Sequence, residues 1–197
     1  MTHQALHNDP RKPAALLVLF VAAIAMSPDF TAAQTVPNRE AAVEVRKQFL
    51  ADLDTLHHKF VALAGAFPAG KFAWRPAPGV RSVGEAFMHV AAEYYTYVPS
   101  AYGAASSPVP GPESESKQFE AKGTKAEVLK QLDAGFAYTT NSLKGIDPGR
   151  LTGARTIWGA QRTVIETSLG PLDDLHEHLG QLIAYARMNG VTPPWSK

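Results

Sequence analysis

The 197-residue chain contains no cysteine. That absence excludes disulfide bridges, a thiol nucleophile, thiolate-ligated zinc and a lipid-modified N-terminal cysteine. Stability has to come from packing, and a single domain of this length can bury a sizeable core. Excess charge is equally scarce: 19 Lys and Arg against 18 Asp and Glu leave a net +1 at pH 7, so no nucleic-acid surface is expected. A phosphate loop is missing too, because "GAFPAGK" lacks the spacing and the Ser or Thr of one. There is no internal repeat and no convincing strand pattern.

The longest apolar run, "PAALLVLFVAAIAMS", is shorter than the roughly 20 residues of a membrane-spanning helix. Arg11 and Lys12 precede it, and the small residues Thr31 and Ala33 occupy positions −3 and −1 of a cut before Gln34. This order is that of an export signal. Residues 1–33 are therefore expected to be a signal peptide, with an uncleaved membrane anchor as the alternative, leaving a domain of residues 34–197 that is periplasmic or secreted and has no membrane association after cleavage.

The rest of the chain reads as helices. Val45, Phe49, Leu53, Leu56, Phe60 and Leu63 recur at three-and-four spacing after Asn38, a good N-cap. His57 and His58 fall on this helix as neighbours and are expected at its solvated edge rather than as ligands. A Pro- and Gly-dense linker follows and ends in a Ser82–Glu85 capping box. The second helix is expected to run to about Val98, with Val83, Ala86, Phe87, Val90, Tyr94 and Tyr97 inward.

The stretch "GAASSPVPGPESESK" reads as a loop without structure of its own. Thr124 and Glu127 open a third helix with Val128, Leu129, Leu132, Phe136 and Leu143 buried. An irregular segment containing "TIWGAQRT" leads to the last helix, whose stripe is Leu172, Leu175, Leu179, Leu182, Ile183 and Ala186, ended by Gly190. Either this helix starts at Pro171 or it bends there. Four amphipathic helices with two long connections make an all-α four-helix bundle the expected fold.

Chemistry concentrates in "DDLHEHLGQLIAYARMNG". Helix residues advance by about 100°, so His176 and His178 stand about 160° apart and cannot serve one ion. Asp174 and His178, four apart, share a face, and His89 and Glu93 do the same on the second helix. Facing His and carboxylate pairs on two helices are a way to build a metal site in a bundle core. Two imidazoles and a carboxylate with an open position suit zinc, iron(II), manganese or nickel. A solvated polar edge remains the alternative. Gln181, three residues past His178, is placed to hydrogen-bond it, and Arg187 lies on the opposite face. Tyr94, Tyr95, Tyr97 and Tyr102 either line a ligand pocket or belong to the core.

"WRPAPGVRSVGEAFMHVA" together with "HEHLGQLIAYARMNGVTPPWS" resembles the DinB-like family of four-helix bundles, across essentially all of the chain after the signal. The most specific matches are His178, Gly180-Gln181, Tyr185, Arg187, Gly190 and Pro193-Pro194, with His89 in "FMHVA". The resemblance implies one divalent metal held by three histidines, one on helix two and an i, i+4 pair on the last helix. Asp174 replaces the first histidine of that pair, which turns the implied set into His89, Asp174 and His178 or marks a lost site. Some relatives activate a low-molecular-weight thiol, and hydrolysis by metal-bound water is the other option. The expected function is a metal-dependent transferase or hydrolase acting on a small molecule. A non-catalytic metal- or ligand-binding bundle and a structural module with a vestigial site are the alternatives. A homodimer is compatible with such a bundle, but no exposed heptad seam marks one.

Overall fold

A computed structural model describes residues 36–107, 109 and 116–196. The expected signal peptide and its cut before Gln34 lie outside the described residues. The first helix, α1 (Arg39–Ala66), opens where Asn38 accepts a 2.8 Å hydrogen bond from the Ala41 amide, which satisfies an otherwise orphaned helix donor. Phe49, Leu53, Leu56, Phe60 and Leu63 all lie in the core. His57 departs from expectation, since it is 7% exposed and stacks on Phe136 with ring centroids 4.0 Å apart. His58 is the exposed neighbour. Two residues on one helix cannot share an environment when 100° separates them, and the apolar stripe is wide enough to take in the first.

Helix α2 (Val83–Tyr95) begins at the full Ser82–Glu85 capping box. It stops sooner than expected because Thr96 leaves helical geometry and turns its hydroxyl back to the Ala92 carbonyl at 2.9 Å. A short helix, α3 (Tyr97–Ala101), follows and contains Pro99. The loop expected to lack structure ends in another short helix, α4 (Ser116–Glu120).

Helix α5 (Lys125–Lys144) starts at Thr124, which accepts from the Glu127 amide, while the Glu127 carboxylate turns to Gln131 instead of closing the box. Helix α6 (Val164–Met188) is continuous through Pro171 and starts at a second full capping box, Thr163 with Glu166. It ends in a Schellman pair: Val191 donates to Ala186 and Gly190 to Arg187, with Gly190 at φ +70.

The expectation of no sheet is corrected by a hairpin, β1 (Ala154–Ile157) paired antiparallel with β2 (Ala160–Thr163). Only Ile157 and Thr163 in it are buried, so alternation is too weak to read. The molecule is mostly helical with this one small sheet among the described residues. Helix α2 packs on α5 and α6, and α1 packs on α5 and α6. None of the described helices is long and apolar enough to cross a membrane.

Two glycines bring α4 to its place. A Cβ on Gly84 would run into the Gly123 carbonyl, so the start of α2 lies against the turn that joins α4 to α5. Only glycine permits this contact, and it sets α4 beside α2.

Candidate metal centre

The capping box at Ser82 fixes where α2 begins, and two turns later His89 and Glu93 point to the same side. Across from them α6 presents Asp174 and His178. The outcome is a cluster around one oxygen. His89 Nε2 and His178 Nε2 each lie 3.2 Å from Glu93 Oε1, with the two rings 4.8 Å apart and nearly perpendicular. One ligand atom from each of the three residues falls within 4.8 Å of the others, close enough to form a possible metal site. Glu93 is 7% exposed, and its second oxygen finds no hydrogen-bond donor.

The outer nitrogens are held as well. His89 Nδ1 donates to Glu120 Oε1 at 2.8 Å, and Arg81 grips that carboxylate twice, at 2.8 and 3.1 Å. His178 Nδ1 faces Gln181 Oε1 at 3.4 Å, and Gln181 in turn donates to the Tyr185 hydroxyl at 3.0 Å. Trp74 packs edge-on against Tyr185 with centroids 5.5 Å apart, which ties the linker to this end of α6.

The electrostatics follow from the geometry. Burial disfavours a charged His89, but its hydrogen bonds to Glu120 and Glu93 outweigh that and push it up to about 9. The Glu93 hydrogen bond raises His178 against its burial. Burial would raise Glu93, yet the two imidazoles bring it down to about 2. Asp174 goes the other way, to about 6, through burial and then through its side-chain interaction with Glu93 and that carboxylate's charge. The two inward nitrogens face one buried carboxylate oxygen, a donor set that a divalent cation fits.

Of the three residues expected from sequence, His89 and His178 meet. Asp174 stands at the margin, its Oδ1 3.9 Å from His178 Nε2. His176 is exposed, as its angle required. Glu93 was visible only as the partner four residues from His89. Glu120 carried no signal, because nothing in the sequence predicts that the loop folds back there. A cavity of about 770 Å³ opens over the cluster, lined by His89, Glu93 and Asp174 below and by Arg81, Tyr97 and Trp158 among its walls. Tyr94, Tyr95 and Tyr102 are buried instead.

A sequence profile of the DinB superfamily matches residues 52–182. The chain belongs to the DinB superfamily. The matched span contains His89, Glu93, Glu120, Asp174, His178 and Gln181, so every member of the cluster and its outer hydrogen-bond partners falls within this DinB-superfamily region. No curated protein matches the chain.

Proposed function

We propose that this DinB-superfamily protein is a four-helix bundle of α1, α2, α5 and α6 that holds one divalent ion and acts on a small molecule as a transferase or hydrolase. The observation that carries this reading is the convergence of two imidazole Nε2 atoms on one buried carboxylate oxygen. In this reading His89 and His178 are the nitrogen ligands, Glu93 is the carboxylate closest to both, and Asp174 is the carboxylate at the open side. Such an ion would supply Lewis acidity and lower the pKa of a water or thiol bound to it.

The protein's own residues do the rest. Glu120 takes the His89 Nδ1 proton's hydrogen bond and so leaves Nε2 to face inward, with Arg81 keeping the carboxylate in place. Gln181 does the same for His178. Burial of Glu93 keeps water from its oxygens and strengthens every charge interaction around it. Asp174 lines the cavity, where its carboxylate can accept a proton from a bound substrate. A thiol substrate would have to come from solution, since the chain has no cysteine.

The N-terminal charge and hydropathy pattern supports export as part of the same proposal. Turnover of ester and thiol-acceptor panels by metal-loaded and metal-stripped protein tests the enzymatic reading. Metal-dependent turnover of one panel supports it. Metal binding with no turnover of either leaves the non-catalytic binding bundle.

A further inference from the structure

Hairpins joined by two residues favour turns in which both central residues have positive φ, and Asn-Gly suits that demand best. Here Ile157 pairs with Ala160 and the turn is Trp158-Gly159, at φ +51 and φ +75. Tryptophan is a poor occupant of this backbone region. A bulky residue kept in a strained conformation is a pointer to function, and its surroundings say which one.

Trp158 is 50% exposed and lines the cavity above the His89–Glu93–His178 cluster. It is not left loose. Its ring stacks on Tyr97 at 5.3 Å and 19°, Arg162 lies over it at 5.9 Å, and its Nε1 donates to Ser100 Oγ at 3.3 Å. Tyr97 lines the same cavity. The cation on the cavity wall, Arg81, is already engaged by both oxygens of Glu120, which leaves it poorly disposed to bind an anionic tail. Apart from the small hydroxyls of Thr96, Ser100 and Ser106, the lining beside the metal-type cluster offers the two aromatic side chains Tyr97 and Trp158, and Trp158 is the more strained of them.

We propose that Trp158 is a specificity-determining residue whose exposed indole edge, held in place by Tyr97 and Arg162, contacts the aromatic ring of a small substrate edge-to-face, while the other end of that substrate carries an oxygen or sulfur donor for the metal centre. This rests on the reading of the cluster as a metal site, and the hairpin exists in part to carry the indole to the cavity.

The test uses zinc-loaded full-length protein and two metal-binding probes, benzohydroxamate and acetohydroxamate, which differ in the ring alone. Calorimetry should show benzohydroxamate bound at least ten times more tightly by the unmodified protein. Trp158→Asn, which suits the turn's backbone, should erase that preference while zinc stoichiometry and acetohydroxamate affinity stay unchanged. Trp158→Phe should keep most of it. Equal affinity for the two probes in zinc-loaded protein, or a preference that survives Trp158→Asn, overturns the proposal and leaves the metal site standing. Failure of the unmodified protein to bind zinc overturns both.

Discussion

Glu120, on a five-residue helix, lies 2.8 Å from the outer nitrogen of His89. A carboxylate on the far side of a metal-binding imidazole fixes its tautomer and raises its basicity. Glu120→Gln keeps a hydrogen-bond acceptor but removes the charge, and it should weaken zinc binding by about 10–100-fold. Calorimetric titration checks this. Circular dichroism should show unchanged helicity, because α4 contributes only five residues. An unaltered zinc affinity would remove Glu120 from the centre.

The register of α6 is tested at two of its polar positions. His176→Ala should leave divalent-metal binding intact, since that side chain is exposed. Asp174→Ala should weaken binding, whereas Asp174→His should preserve or strengthen it by adding a third imidazole. Metal loss in His176→Ala would show that the face is misassigned.

The placement of α4 depends on Gly84. Gly84→Ala forces a methyl group into the Gly123 carbonyl, and overpacking of this kind costs about 1–3 kcal/mol. Thermal unfolding should show the loss. Gly65→Ala, with open space around its Cβ position, should lack any such steric penalty.

His57 should make the protein sensitive to mild acid. Burial lowers its imidazole below 6.5, although Asp133 at 3.2 Å partly offsets this. The unfolded chain therefore takes up the proton at a higher pH than the folded one. Stability from this residue is complete above pH 6.5 and declines as the pH falls from there towards the lowered folded value. His57→Leu should flatten that part of the stability–pH curve measured by urea unfolding. An unchanged slope would mean that His57 titrates alike in both states.

Much of this architecture is legible in the sequence because it rests on local signals. Asn38, Ser82 and Thr124 each cap a helix as their side chains allow, and three-and-four spacing locates the core residues of α1 and α6. The start of α6 stays open in the sequence because Pro171 obscures it, although the box that sets it, Thr163 with Glu166, is a local signal. The hairpin is hidden because two of its eight strand residues are buried. Within the site, spacing finds the pairs His89–Glu93 and Asp174–His178, but only packing decides that Glu93 stands between the imidazoles. Glu120 depends on the Gly84–Gly123 approach, a tertiary contact that no local pattern encodes.

The most direct test of the central claim is a titration of the full-length protein with zinc, nickel and manganese, alongside His89→Ala and His178→Ala. The account predicts one ion per unmodified chain for at least one metal, and loss of stoichiometric binding in both variants. Binding that persists when either histidine is removed, or no binding by the unmodified protein, would contradict it.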